Sequence, residues 1–340
     1  MKAQSALRHD FASDNRAGLT PEVIDWLGRA ASGFCGAYGS DFLTARAADL
    51  IRALLDADAE VFFAMTGTAA NSIALAALCR PFESIIAHRN AHIVVDETGA
   101  PGFFGHGVGF VQVDGASGRI EPGTLAQALH SSESPHQQSP GVLALSNATE
   151  FGTVYTAHEI EMLTGMAKAE RVATFLDGAR LANAAASGFN LKRLPSLAID
   201  IAVLGGSKAG MPATEAIVLF DRSLARRFLP RLKQSGQLAA KSRYCAAPWI
   251  AMLESGRWLD RARHANAMAR RLAAAIPFEV VHPVEANTVY ARMSEEAYQR
   301  LSGLGWVALR MGADTVRFMC SWATTSGGVD ELVEVLKTCR

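Results

Sequence analysis

Short apolar runs alternate with helical patterns between residues 60 and 221, and this alternation constrains the fold more than any other feature. The predicted strands are EVFFAM, SIIAH, GFVQVD, VLALSN, VATFLD, IDIAVLGG and EAIVLFD. Buried strands joined by crossover helices form a parallel sheet that is covered on both faces. The sequence therefore predicts an α/β fold with a mostly parallel central sheet and helices on both faces.

The length of the chain predicts more than one core. Its 340 residues exceed the roughly 250 to 300 at which a single hydrophobic core stops growing. We expect an N-terminal segment at 1–20, a large α/β domain at 21–242 and a small C-terminal α+β domain at 243–340. The small domain begins with a long helical pattern at 243–275 and continues with the predicted strands FEVVHP, TVYARM and VRFMCS.

Charge and composition narrow the partners to small molecules. The 33 basic and 33 acidic residues cancel, so the chain carries no electrostatic footprint for nucleic acid or an anionic membrane surface. The five cysteines show neither CxxC spacing nor a Cys/His cluster, which predicts reduced thiols and no metal site. The start of the sequence lacks the apolar core of a secretion signal, and we expect a cytoplasmic protein without membrane spans.

The turn after the first predicted strand could hold an anion. It reads Met65-Thr66-Gly67-Thr68-Ala69-Ala70-Asn71 and opens directly into a helix. Backbone N–H groups and the helix dipole converge at such a turn, where a phosphate can approach closely. The alternative is an ordinary tight turn in which a threonine caps the helix. The turn lacks the lysine of a P-loop and the glycine pattern of a dinucleotide fold.

Two charged residues follow later strands of the predicted sheet. Asp177 ends VATFLD, where its carboxylate could pair with a protonated ring nitrogen of a ligand. Lys208 lies among small residues after IDIAVLGG, where a desolvated amine could attack a carbonyl carbon. An Asp-Gly turn and a solvated lysine are the alternatives. The order of phosphate turn, aspartate and lysine within one α/β sheet favours the functional interpretation.

That order resembles the fold-type-I enzymes that use pyridoxal 5'-phosphate (PLP), and the motifs narrow the resemblance to the threonine aldolase family of the β-eliminating lyase group. The motifs span most of the chain: SDN at 13–15, Tyr38-Gly39 with Asp41, TGTAAN, Ala91-His92, DGAR at 177–180, GGSK at 205–208 and Val316-Arg317-Phe318. DETGAP at 96–101 and ATE with GTVY at 148–155 look like the bacterial branch that cleaves threonine with low specificity or cleaves phenylserine.

The resemblance implies a role for each matching residue. Thr66, Gly67 and Thr68 would hold the cofactor phosphate, His92 would stack on the pyridine ring, and Lys208 would be the Schiff-base lysine. Catalytic roles fall to Lys208, His92 and Asp177, with Asp177 keeping the ring nitrogen protonated. The substrate would be bound by Ser13, Asp96, Arg180 and Arg317, and Arg180 could also contact the cofactor. For His92 and Arg317, a satisfied polar residue and a solvent-facing strand position are the alternatives.

The implied reaction is retro-aldol cleavage of L-threonine or related L-β-hydroxy-α-amino acids, such as phenylserine, to glycine and an aldehyde. A PLP-dependent β-eliminating lyase or an aminotransferase is the alternative, and a non-catalytic PLP-binding protein is a third. Many relatives have Thr-His-Asn-Gly where this chain has Thr149-Glu150-Phe151-Gly152. The base for the β-hydroxyl is therefore open between His92, Asp96 and a water held by one of them.

The resemblance also implies an oligomer. We expect a homodimer or homotetramer whose active sites are shared between subunits. Lys241 and Arg243 resemble a segment that subunits of this family lend to a neighbouring site, and a solvated charge cluster is the alternative.

Overall fold

A computed structural model describes residues 10–130 and 134–340 of the chain, and it contains one large and one small sheet. The strands of the large sheet are β1 (Glu60–Ala64), β2 (Glu83–His88), β3 (Gly109–Val113), β4 (Ser139–Ser146), β5 (Ala173–Gly178), β6 (Ile201–Gly205) and β7 (Glu215–Leu219). Those of the small sheet are β8 (Thr288–Arg292), β9 (Leu309–Met311) and β10 (Thr315–Met319).

Helices surround both sheets. They are α1 (Pro21–Ala30), α2 (Phe42–Leu55), α3 (Gly67–Leu78), α4 (His92–Val95), α5 (Ala100–Phe104), α6 (Pro122–Leu129), α7 (Ala157–Ala169), α8 (Leu181–Ala186), α9 (Ala225–Gln234), α10 (Arg243–Glu254), α11 (Arg257–Ala275), α12 (Glu295–Gly303) and α13 (Ser326–Thr338). No helix of the described residues is both long and apolar enough to cross a membrane.

The large sheet has the strand order β1-β7-β6-β5-β4-β2-β3 and is mostly parallel, which confirms the predicted fold class. Strand β7 is the exception, because it pairs antiparallel with both β6 and β1. The segment 206–214 between β6 and β7 is shorter than the dozen or so residues that a parallel crossover needs. The chain therefore turns back beside β6 instead of crossing over.

Each face of the large sheet builds its own core, as the two-sided covering by helices predicts. On β4, Leu143 and Leu145 point into a core with α2, α7 and α10, and Val142 and Ala144 point into a second core with α3 and α9. This alternation follows from the two-residue period of a strand. Both faces of the sheet are apolar because helices cover both. Each fully buried leucine contributes roughly 1.5 to 3 kcal/mol to the stability of the fold.

The small domain has a third core around β8, β10 and α13, and α11 connects it to the large domain. Trp249 of α10 and Trp258 of α11 pack in the core of the large sheet, whereas Ala269 and Leu272 of α11 pack in the third core. The predicted boundary at 243 stays a prediction, and this packing favours a boundary further along α11.

One prediction of local structure in the small domain was wrong, that of the strand FEVVHP. The helical pattern at 243–275 forms two helices, α10 and α11, which are divided at Gly256, where a φ of +70° is one that a glycine adopts without strain. The predicted strand FEVVHP forms only an isolated bridge between Val280 and Ala291, and the third strand of the small sheet is β9 instead.

The segment 10–20 runs from the small domain to the edge of the large sheet. Phe11 exchanges backbone hydrogen bonds with Val307 and Met319, at 2.8 and 2.7 Å, and the Thr20 N–H donates to Gly210 O at 3.0 Å. Residues 1–9 of the predicted N-terminal segment lie outside the described residues. The segment 10–20 thus brings Ser13 to Asn15 next to the turn that carries Lys208.

Candidate active site

The candidate site lies at one edge of the large sheet, where several strands end. Strands β4, β5 and β6 are parallel to one another. Strand β1 runs in the same direction, because β7 lies between β6 and β1 and is antiparallel to both. The carboxyl ends of these strands therefore meet at the same edge, where ligands of α/β sheets bind. The turn at Thr66, Asp177 of β5 and the Ser207–Ala209 turn after β6 all lie there.

Two adjoining clefts open at this edge, with Lys208, His92 and Asn15 at their junction. We call the first, of about 480 Å³, the turn cleft, and the second, of about 440 Å³, the arginine cleft. The predicted residues that line the turn cleft are Thr66, Gly67, Thr68, His92, Asp177 and Lys208. Those that line the arginine cleft are Ser13, His92, Asp96, Arg180, Lys208 and Arg317.

The strand-to-helix turn leaves room for a ligand at the start of α3. The Thr66 hydroxyl accepts a hydrogen bond from the Ala69 N–H at 3.1 Å, so Thr66 is the helix cap that the alternative interpretation predicted. A side-chain carbon added at Gly67 would meet nothing within 4 Å. The cap and the open space are compatible, and together they leave the positive end of α3 accessible to an anion.

Asp177 is held rigidly at the base of the turn cleft. Its side chain is buried, and one carboxylate oxygen accepts from Asn71 Nδ2 at 3.0 Å. The other accepts from the Ala179 N–H at 2.9 Å, which is the hydrogen bond of an Asp-Gly turn. The Asp-Gly turn, which was the alternative to a functional role for Asp177, thus holds the Asp177 carboxylate in place at the cleft.

His92 begins α4 at the junction of the clefts and is held by two carboxyl groups. Its Nδ1 lies 2.8 Å from Oε1 of the buried Glu97, and its backbone N–H donates to Glu150 Oε1 at 2.9 Å. The hydrogen bond to Glu97 raises the pKa of His92 above its usual value, against the opposing effect of burial. His92 is therefore a positioned, partly exposed imidazole with elevated basicity.

Arg180 forms a buried ion pair with Asp14, a pairing that no local sequence pattern indicates. Its Nε and Nη2 donate to the two carboxylate oxygens of Asp14 at 2.8 and 2.9 Å, and Asn287 Nδ2 donates to Asp14 at 3.0 Å. Burial alone would raise the pKa of Asp14, but the charge and hydrogen bonds of Arg180 outweigh it and hold that pKa below its usual value. This pair commits two nitrogens of Arg180 and orients the guanidinium at the cleft.

Arg317 and Ser13 also line the arginine cleft. Arg317 Nη2 donates to Ala12 O at 3.2 Å, and Arg317 Nε is buried without a hydrogen-bond partner in the described part of the chain. The Ser13 hydroxyl accepts from the Asn15 N–H at 3.2 Å and keeps its own proton for donation. The structure thus places Arg317 at a cleft and not in bulk solvent.

Glu150 occupies the position where many relatives have a histidine, and it lines the arginine cleft. Its Oε1 accepts from Ser146 Oγ at 2.9 Å as well as from His92, while Oε2 is buried with no partner among residues 10–130 and 134–340. Burial raises the pKa of Glu150, and the nearby Asp177 carboxylate adds to the rise. A buried carboxyl group that resists ionisation therefore replaces an imidazole.

Three rings, which we call the aromatic wall, line the arginine cleft. Phe151 lies 4.5 Å from His282 and 5.6 Å from Tyr290 between ring centroids, and His282 and Tyr290 pack edge to face at 5.2 Å. Burial lowers the pKa of His282, so this wall is uncharged near neutral pH. No short sequence pattern indicates this wall, because Phe151 lies more than a hundred residues before His282 and Tyr290 in the chain.

The remaining predicted residues lie at or beyond the rim. Asp96 is exposed at the end of α4 and lines the arginine cleft. Lys241 and Arg243 line neither cleft of this subunit, and Arg243 Nη1 donates to Gly33 O at 3.1 Å. The described residues contain no cluster of His, Cys, Asp and Glu that could hold a metal.

The fold and the two clefts define a PLP-dependent enzyme of fold type I. The beta-eliminating lyase family matches residues 10–296. A low specificity L-threonine aldolase from Pseudomonas sp. (strain NCIMB 10558) is 42% identical over 95% of both chains, and one from Pseudomonas aeruginosa is 42% identical over 96% of both. The structure of a Leishmania major threonine aldolase superposes with a TM-score of 0.91 at 30% identity, covering 97% of this chain and 99% of that one. The chain therefore belongs to the threonine aldolase branch of the beta-eliminating lyases, which confirms the predicted resemblance.

Proposed function

We propose that this enzyme cleaves L-threonine or related L-β-hydroxy-α-amino acids, such as phenylserine, to glycine and an aldehyde. The observation that carries the proposal is the position of Lys208 between an anion-accepting turn cleft and a cleft lined by two arginines. The relatives that match this chain over nearly their full length are named threonine aldolases, and these names support the same reaction.

The turn cleft fits PLP. We assign Thr66, Gly67 and Thr68 to the phosphate, because the start of α3 is open to an anion and a side chain at Gly67 would intrude into that space. Asp177 would pair with the ring nitrogen, and Lys208 would hold the cofactor covalently through its ε-amine. When bound, PLP supplies an electron sink for the bond that breaks at Cα.

The arginine cleft fits the carboxylate of an amino acid. Arg317 presents a buried Nε without a partner within the described ranges, and the Ser13 hydroxyl can donate beside it. A guanidinium binds a carboxylate with paired hydrogen bonds, which fixes the orientation of the substrate. Arg180, anchored by Asp14, would add the second positive charge of the same cleft.

We assign acceptance of the β-hydroxyl proton to Nε2 of His92. Its Nδ1 is engaged with Glu97, so Nε2 is the nitrogen that remains for the substrate, and the raised pKa makes the imidazole a stronger base. His92 would also stack on the cofactor ring. Asp96 would contact the substrate at the rim of the same cleft.

The decisive experiment compares the parent protein with Lys208→Ala and with Lys192→Ala, a matched change of an exposed lysine. We expect a visible absorbance band with PLP and aldehyde release from L-threonine or L-phenylserine in the parent and in Lys192→Ala. Lys208→Ala should lose both. A coloured protein that releases no aldehyde from either substrate would contradict the aldolase assignment and leave PLP binding intact.

We also propose that the enzyme works as a cytoplasmic homodimer or homotetramer with shared active sites. Large apolar side chains remain exposed on the described subunit, among them Phe34, Phe42 and Tyr38, and Arg243 borders them through its contact with Gly33. Light scattering coupled to gel filtration measures the mass in solution. A monomer with full aldolase activity would refute the shared site.

A further inference from the structure

A single buried amide joins the two sides of the turn cleft. Asn71 Nδ2 donates to Glu97 Oε1 at 2.9 Å and to Asp177 Oδ2 at 3.0 Å, and all three side chains are buried. An amide nitrogen has two N–H groups, so both are used on carboxylates. If the Asn71 amide were flipped, Oδ1 would face two carboxylate oxygens and repel both. The amide orientation with Nδ2 toward the carboxylates is therefore favoured, although it leaves Oδ1 without a hydrogen-bond partner among the described residues.

The same oxygen of Glu97 determines which nitrogen of His92 carries a proton. Glu97 Oε1 already accepts from Asn71, and it lies 2.8 Å from His92 Nδ1. An ionised carboxylate can only accept, so Nδ1 must be the donor. The neutral imidazole is then protonated at Nδ1, and Nε2 is left with a lone pair.

We propose that Glu97 is a positioning residue that holds His92 in the Nδ1–H tautomer, and that Asn71 couples this pair to Asp177. The consequence for catalysis rests on the proposed function: Nε2 accepts the β-hydroxyl proton, and Glu97 stabilises the imidazolium that forms. A carboxylate that orients a catalytic imidazole in this way fixes its tautomer and supports its positive charge. Asn71 ensures that a change at either carboxylate is transmitted to the other.

The charges around His92 agree with this arrangement. The ionisable groups that face it are Glu97 after α4, Asp96 at the end of α4, Glu150 after β4, Asp177 on β5 and Lys208 after β6. Even without Glu150, whose raised pKa disfavours its ionised form, the carboxyl groups outnumber the one lysine, which favours the imidazolium. The pKa of His92 is raised, and the hydrogen bond to Glu97 is the largest cause.

The test uses NMR of the holoenzyme with ¹⁵N-labelled histidine, and the His92 signal is assigned by its loss in His92→Gln. We expect the neutral His92 of the parent to be the Nδ1–H tautomer. In Glu97→Gln the amide oxygen can still accept from Nδ1–H but carries no negative charge, so the Nδ1–H tautomer should remain and the titration of His92 should move to lower pH. The turnover number kcat should fall roughly 10- to 100-fold, the size of a hydrogen bond to a charged group.

Asn71→Ala tests the coupling to Asp177. It should shift the pH midpoint of the cofactor absorbance, because Asp177 loses one of its two donors. Glu254→Gln is the matched control, since Glu254 pairs with Arg46 on the surface, and it should change neither the His92 signal nor the absorbance.

Three results would overturn the inference: a parent His92 in the Nε2–H tautomer, an unchanged His92 titration in Glu97→Gln, or an unchanged cofactor absorbance in Asn71→Ala. The first needs only the parent and the His92→Gln variant that assigns the signal, so a Glu97 or Asn71 variant that fails to fold still leaves the inference testable. The expected NMR result without aldehyde release would refute the proposed function and leave the positioning role of Glu97 standing.

Discussion

The buried ion pair between Asp14 and Arg180 provides the sharpest prediction, for the variant Asp14→Asn. Only 2% of the Asp14 side chain and 15% of the Arg180 side chain are exposed, and two hydrogen bonds of 2.8 and 2.9 Å join them. Asparagine has nearly the same shape, but it removes the negative charge. The variant therefore leaves a buried guanidinium without its counter-charge.

The magnitude follows from that burial. Removing one partner of a buried pair costs roughly 3 to 5 kcal/mol, because the remaining charge stays desolvated and unpaired. Native proteins are stable by only about 5 to 15 kcal/mol in total. We expect the thermal midpoint Tm of Asp14→Asn to fall by several degrees and the KM for the amino acid to rise, because Arg180 loses the contact that orients it.

The pH dependence has a definite sign. The pKa of Asp14 in the folded protein lies below its ordinary value of 3.8, so the stabilising contribution is complete above that value. It is lost as the pH falls through the lower folded-state pKa. The stability of the parent should therefore decline in this acid range, and Asp14→Asn should lack that part of the decline.

The assay is thermal unfolding followed by circular dichroism, with activity measured on the same samples. Asp330→Asn is the control, because Asp330 and Arg271 form an equally bidentate pair at 2.7 Å that is exposed on the surface. Exposed pairs contribute little, so the control should keep the parent Tm. Equal Tm values for Asp14→Asn and Asp330→Asn would refute the claim that burial makes the Asp14–Arg180 pair important for stability.

Two further predictions concern the residues that replace the histidine and asparagine of many relatives. Phe151→Asn removes one ring of the aromatic wall. The ratio of kcat/KM for L-phenylserine to kcat/KM for L-threonine should therefore fall about 10- to 200-fold, the range over which an apolar pocket discriminates between substrates. An unchanged ratio would show that the wall does not contact the substrate. The folded-state pKa of Glu150 is raised above 4.5, so its contribution to stability is present below that value and is lost as the pH rises through the folded-state pKa. Glu150→Gln should remove this loss, which Tm measured against pH will show, and parallel curves for the two proteins would contradict the assignment.

Local sequence patterns determined the large sheet and the three elements at its edge. The turn at Thr66, Asp177 and Lys208 each follow a strand directly, so their positions depend on neighbours within a few residues. Because carboxyl ends of parallel strands share an edge, a prediction of the strands is also a prediction that these groups meet. The motifs then identified the family, which the comparisons confirm.

The partners of these residues were decided by contacts between distant parts of the chain. Asp14 meets Arg180 across 166 positions, and Asn71 meets Asp177 across 106. No local pattern encodes such separations.

The sequence by itself thus determined the α/β class, the family and the residues placed at the strand ends, since all of these follow from local periodicity and short motifs. Only the tertiary structure decided that Glu97 and Asn71 connect His92 to Asp177, and that Phe151, His282 and Tyr290 form one wall. The physical reason is that hydrogen bonds and ring contacts act over a few ångströms in space, and only the folded chain brings these groups within that distance.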